Sequence, residues 1–352
     1  MLFRSFSPEF RGQLNGKIFV ANLYQDLQLV GNLSIENFGL LETDYGILDI
    51  SSALDINNKV INISAKNDLE GKKMLDIKGF YDPPSRKLDL TGVATKLSIN
   101  PLNKLLKVFA SDISGTATGK VNLIGQPGSI VLTGAVLAEN SSLKIDYLQT
   151  KYKLNDSVRF DRKGIIFNNI RLIDEKGNPA TLSGLVSHKN FKNFESNVTI
   201  NVNDCMVLNT KPKDNELFYG TAYATGVTTI KSTKDGSLDF DISARSGRNT
   251  RFYIPLNTSL SVSDVSFVTF VDTATDTSAS PSKSGKLIPV PAKTSGFDLR
   301  MDLEVTPAAE VQLIFDMTVG DIMKATGSGD LNISYNKKGE FRITGDYIID
   351  NG

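Results

Sequence analysis

The sequence predicts an all-β fold: a long, strongly curved, mostly antiparallel sheet with one short helix. Three observations point there. Apolar and polar residues alternate at period two along most of the chain, glycine-containing turns separate the alternating runs, and only one stretch has helical spacing.

The alternation recurs at Leu48, Ile50, Leu54 and Ile56, then at Ile61, Ile63 and Ala65, and at Leu75, Ile77 and Tyr81. The stretch PLNKLLKVFASDISG breaks it. Pro101 suits a first helical turn, and Leu102, Leu105, Leu106 and Phe109 fall at i, i+3, i+4 and i+7. A short amphipathic helix over 101–110 is therefore expected, capping one end of a sheet segment.

Strands resume at Val121 and Leu123, at Ile130, Leu132 and Val136, and at Leu143, Ile145 and Tyr147. They continue through Ala180 and Leu182, through Val198, Ile200 and Val202, and through Leu238, Phe240 and Ile242. Residues 272–296 are rich in Ser, Thr, Pro and Ala and poor in large apolar groups, which predicts a flexible loop joining two strands. Beyond it, 297–352 carries C-terminal strands. These end in a hairpin: Leu331, Ile333 and Tyr335 alternate with polar residues before Lys337-Lys338-Gly339, and Phe341, Ile343, Tyr347 and Ile349 after it. The separation of these runs predicts on the order of twenty strands.

Turns and glycines agree with this. Arg162-Lys163-Gly164, Glu175-Lys176-Gly177, Lys234-Asp235-Gly236 and Lys337-Lys338-Gly339 place glycine where a short hairpin loop needs a positive φ. A second set, Gly79, Gly92, Gly125, Gly134 and Gly184, falls within strands, often on the apolar side, where it relieves crowding in a sharply bent sheet.

Composition excludes several function classes. Lys plus Arg and Asp plus Glu are both 39 and no basic cluster occurs, so nucleic acid is not an expected partner. His188 reads as a solvated turn residue and Cys205 as a small strand residue. With one histidine and one cysteine in the chain, no zinc site is available, no calcium loop is present, and no catalytic residue or cofactor is expected. Gly327–Asp330 lacks the strand-to-helix context of a phosphate loop. No run approaches the roughly twenty apolar residues of a membrane helix. Both ends read as positions inside a longer protein, so 1–352 is expected to be one elongated fragment.

From Leu137 to Asn209, the segments LKIDYLQTKYKL, VRFDRKGIIFNNIRLIDEKGNPATLSGLVSHKNF and NVTINVNDCMVLNT resemble the C-terminal domain of the TamB translocation and assembly module family. FYGTAYATGVTTI, LRMDLEVTPAAEVQLIFDMTVGD and ATGSGDLNISYNKKGEFRITGDYII are similar to its closing sections, so the resemblance covers about the last two thirds of the chain. It implies an elongated periplasmic β-groove (β-taco) related to AsmA-like proteins, apolar inside, in a parent protein spanning between inner and outer membranes. The partners it implies are a phospholipid or other acyl lipid, an outer-membrane barrel of the Omp85 type, and the inner membrane through a helix absent from this chain.

Combining that groove with strand parity nominates its lining: Leu132, Leu143, Ile145, Leu182, Val198, Ile200, Phe240, Leu299, Leu303, Leu313, Phe315, Leu331, Ile333, Phe341 and Ile343. The function expected is a non-catalytic lipid conduit supporting outer-membrane assembly. The alternatives are a scaffold or chaperone that pairs its strand edges with outer-membrane or secreted clients, and a closed, structural β-solenoid.

Overall fold

The computed structural model describes residues 9–21, 28–107, 109–126, 128–189, 192–215, 218–232, 237–255, 297–316, 321–337 and 340–352. Among them are twenty strands and one helix, confirming the all-β class. The first strands are β1 (Phe10–Ala21), β2 (Gln28–Leu40), β3 (Thr43–Asp44), β4 (Ile47–Asp55), β5 (Val60–Asp68), β6 (Leu75–Asp82) and β7 (Lys87–Ser98). After α1 (Leu102–Leu106) come β8 (Ala110–Gln126), β9 (Ser129–Ile145), β10 (Thr150–Asp161), β11 (Gly164–Asp174), β12 (Pro179–Lys189) and β13 (Lys192–Thr210). The remainder are β14 (Tyr219–Ser232), β15 (Leu238–Ser246), β16 (Arg251–Pro255), β17 (Phe297–Val305), β18 (Glu310–Asp316), β19 (Asp321–Tyr335) and β20 (Phe341–Asn351).

All twenty belong to one sheet, laid out nearly in chain order. β1 pairs with β2 and β2 with β4, and from β4 to β15 each strand pairs antiparallel with its successor. β3 is a two-residue extension beside β2. One seam is parallel. β15 and β16 pair with different parts of β14 and act as one strand broken at 247–250, while β17 and β18 lie parallel to them. β19 pairs antiparallel with both β17 and β18, and β20 follows as the last strand. A parallel pair needs a crossover of a dozen residues or more, and here 256–296 provide the connection. The loop expected at 272–296 lies within it, outside the described residues.

A line of bulges bends the strands. Asn37, Lys96, Asp112, Asn140, Asn169, Asp204 and Asn249 all have positive φ, between 48° and 63°. Most coincide with breaks in pairing register, such as Ala94 to Leu97, Ser111 to Ser114, Phe167 to Ile170 and Val202 to Cys205. An extra left-handed residue inserted into one strand of a pair kinks that strand and steepens its twist. Asn and Asp predominate because their short polar side chains tolerate this conformation.

Beyond that line the strands curl over. In a flat sheet β10 and β13 would lie about 14 Å apart, three strand spacings. Instead the Asn209 N–H donates to the Leu148 carbonyl at 2.9 Å, and Tyr152 Oη donates to the Met206 carbonyl at 2.8 Å. The N-terminal strands close in the same way: Tyr45 Oη donates to the Ser98 carbonyl at 2.8 Å. We call this the closed rim. Its turns follow β2, β5, β7, β9, β11 and β13, while the turns after β4, β6, β8, β10 and β12 form the opposite rim. Most of the buried side chains sit at or beyond the bulges, among them Tyr45, Asn67, Ala110, Ile170, Cys205 and Tyr219.

The helix caps this closed rim but is shorter than the 101–110 expected, because the chain re-enters a strand at Ala110. Asn103 anchors it: its Nδ2 donates to the Ile113 carbonyl at 2.6 Å and its Oδ1 accepts the Ile113 N–H at 2.7 Å. Lys104 reaches Glu9 and Glu42. Phe109 is exposed and does not join the buried side. Three further expectations shift. Ile56 and Tyr147 lie in turns and are exposed, and His188 sits within β12, half-buried against Phe194. Gly164 and Gly177 take the positive φ expected of them; Gly236 and Gly339 lie outside the described residues.

Candidate functional site: a continuous apolar face

The pairing registers join the apolar residues of successive strands into rows, because directly opposed residues share a face. Ile50, Ala65, Ile77, Gly92, Val121, Gly134, Phe160, Ile165 and Val186 are successive partners. Gly184, Val198, Ile230, Phe240, Leu299, Tyr335 and Phe341 form a second row. A third runs Ile170, Leu182, Ile200, Thr228, Ile242, Met301, Ile333 and Ile343. Seventeen strands follow one another across the sheet, so this face extends on the order of 75 Å measured across the strands.

The two faces differ in chemistry. Opposite the apolar rows stand Asp49, Lys66, Lys78, Arg159, Arg300 and Asn332, all exposed. The apolar residues between the bulges and the open rim are mostly half-exposed, with no second layer covering them among the described residues; Val198, 8% exposed, is among the more buried. A sheet packed against another layer would bury these side chains fully. This face is open toward one rim and filled toward the other.

Glycine shapes it from within. A Cβ on Gly184, whose φ is +127°, would lie 2.3 Å from the Asn197 carbonyl oxygen and 2.7 Å from Val198 Cα. Only a residue without a side chain lets the strands bend this closely.

The nominated lining can now be placed. Leu182, Val198, Ile200, Phe240, Leu299, Ile333, Phe341 and Ile343 fall in the connected rows, Leu303 opposes Leu331 in a further row that runs through Ala244 and Gly226 to Val202, and Leu132 opposes Leu123 in a row that runs back to Ile18. Leu143 opposes Tyr152 and Ile145 opposes Thr150, beyond the bulge at the closed rim. Leu313 lies between Ile254 and Met323, and Phe315, 37% exposed, sits at a register break. Sequence reasoning missed Leu90, Phe160, Phe167 and Met301 as members, although each obeys the same alternation.

The buried carboxylate on the filled side is satisfied within the fold, whereas the buried Thr150 and Thr210 hydroxyls find no hydrogen-bond partner among the described residues. Asp174 is buried, yet its oxygens accept the N–H groups of Lys176 and Asn178 at 2.8 Å and of Met206 at 2.7 Å. Burial alone would raise its pKa, but these donors outweigh it and hold the carboxyl below its ordinary 3.8. Cys205 is 0% exposed, and burial, reinforced by the Asp174 carboxylate, pushes its thiol up to about 12. A thiol so protonated is a packing group. Burial also lowers the His188 pKa. Among the described residues, no group of three or more His, Cys, Asp or Glu could hold a metal ion, and no helix is long and apolar enough to cross a membrane.

A sequence family described as the TamB C-terminal domain matches residues 168–352, more than half of the chain. The chain belongs to this family. TamB proteins form a non-enzymatic envelope module associated with outer-membrane assembly. The match begins inside β11, so the resemblance noted from Leu137 starts upstream of it. The TamB-type sheet nevertheless continues unchanged across that boundary, since Phe160, Ile165 and Val186 share one row. Neither a curated protein nor a solved structure matches the chain.

Proposed function

We propose that this chain is a stretch of non-catalytic periplasmic conduit, in which the acyl chains of phospholipid travel along the apolar face between inner and outer membranes. The observation that carries this reading is the half-exposed, uncharged continuity of that face across strand after strand. Each methylene moved through water costs about 0.8 kcal/mol, so a two-chain lipid with roughly thirty methylenes meets a barrier on the order of 20 kcal/mol. A face of uniform apolarity lowers that barrier by exchanging one apolar surface for another, with no bond made or broken. The inner-membrane helix and the Omp85-type barrel implied by the family would supply the two ends of the route.

Lipid extraction tests it. Purified chain should carry acyl lipid that organic solvent releases, in an amount that falls when Leu182→Asp and Ile333→Asp are combined, since a buried carboxylate disfavours acyl chains beside it. Lipid-free protein, or lipid content indifferent to those substitutions, would overturn the reading.

A second reading rests on β20, which is hydrogen-bonded only to β19 among the described residues and leaves Ile348 and Ile349 exposed. An edge of that kind can accept a client strand. Ile348→Lys, which puts a charge on that edge away from the apolar rows, would hinder strand addition while leaving lipid content intact.

A further inference from the structure

The open rim carries cations at turn after turn. Lys59 ends the β4–β5 turn, Arg86 the β6–β7 turn, Arg162 and Lys163 make the β10–β11 turn, and Lys189 closes β12. All five are exposed, and none is in an ion pair among the described residues. The β8–β9 turn has none. Successive hairpins on one rim are two strand spacings apart, about 10 Å.

The acids that begin these turns are turned back into them. Asp55 accepts from Asn58 N at 3.1 Å and Nδ2 at 2.8 Å, Asp161 accepts from Lys163 N at 2.7 Å, and Asp82 accepts from Ser85 Oγ. Their carboxylates serve as turn acceptors while the basic side chains extend outward. The closed rim differs, with Glu42, Glu70 and Glu175 interspersed with its lysines and Lys104 held by Glu9 and Glu42.

We propose that these open-rim cations form a discontinuous track for the anionic headgroup of an acyl lipid whose tails lie on the apolar face. The inference rests on the conduit reading and adds a preference for negatively charged lipids to it. Tails on the half-exposed face would leave their headgroup at this rim, within reach of a Lys or Arg from the nearest hairpin. Phosphate oxygens accept from such groups in charge-assisted hydrogen bonds. Each exposed contact is weak, which suits a headgroup that must move on.

The test incubates the chain with vesicles of equal parts phosphatidylcholine and phosphatidylglycerol, and in parallel with phosphatidylcholine alone. Protein is then separated from vesicles and its lipid identified by mass spectrometry. The wild type should enrich phosphatidylglycerol, and Lys59→Glu, Arg86→Glu, Arg162→Glu and Lys163→Glu combined should cut that enrichment at least about threefold. Should the quadruple variant misfold, the corresponding Gln substitutions should give a smaller loss in the same direction. Lys72→Glu with Lys176→Glu, on the closed rim, should leave the ratio unchanged. The proposal is overturned by an unchanged ratio in the open-rim variants, or by an equal loss from the closed-rim pair. It is equally overturned if only cosedimentation with intact vesicles responds, which would assign the cations to a membrane surface. Capture of no lipid from either vesicle by the wild type would instead contradict the conduit reading itself.

Discussion

Asp174 and Gly184 show how single residues hold the bend. Asp174 ties the β11–β12 turn to β13 through donors that favour its charged form, so its folded pKa lies below the unfolded one. A depressed carboxyl pKa contributes stability that is present above the unfolded value and lost as pH falls through the folded value. Asp174→Asn should therefore lower the melting temperature at pH 7, with the gap to wild type narrowing as pH falls below about 4. A gap independent of pH would show that charge plays no part. Gly184→Val places a Cβ against the backbone of β13 at a positive φ, and chemical denaturation should show a loss of at least about 1–3 kcal/mol. Val198→Ala, a neighbour on the same row with an ordinary conformation, provides the comparison for lost packing alone. These roles were only partly legible in the sequence. The strand glycines announced bending by their placement, whereas the Asp174 network depends on Met206, brought near by a curl that no local pattern encodes.

At the scale of elements, the strands were the most readable feature and their ends the least. Alternation marks any strand with one apolar face, and it located the hairpin of β19 and β20 and the runs in β4, β5, β12 and β13. It could not reveal that β17 lies parallel to β15, because parity is the same for either direction; the length of the 256–296 connection was the available signal. The bulges escaped notice because each is one Asn, Asp or Lys within an otherwise regular strand. The helix was recognisable from its leucine spacing, but its attachment runs through Asn103, a polar residue outside that pattern. Removing that side chain leaves the buried Ile113 N–H without its acceptor, a cost of about 1–3 kcal/mol. Asn103→Ala should accordingly speed hydrogen exchange at Ile113 and in α1, while β14 to β20 exchange as before. Unaltered exchange at Ile113 would mean that the strand, and not the helix, protects it.

For the whole molecule, the central claim is that one face of a long, bent sheet is a path for acyl chains. Which residues share that apolar face was legible wherever parity and apolarity coincide, as at Leu182, Ile200 and Ile333, and the registers carry the same face back through Leu123 to Ile18. Which rim is open was not legible, since that follows from where the strands curl. Successive strand residues face opposite sides, so the claim is tested most directly by a photo-crosslinking residue placed in the living envelope at Leu331, Ile333, Phe341 or Ile343, and separately at Asn332, Ser334, Arg342 or Thr344. Lipid adducts are expected at the first four positions and none at the second four. Adducts at both parities, or at neither in a correctly folded protein, would contradict it.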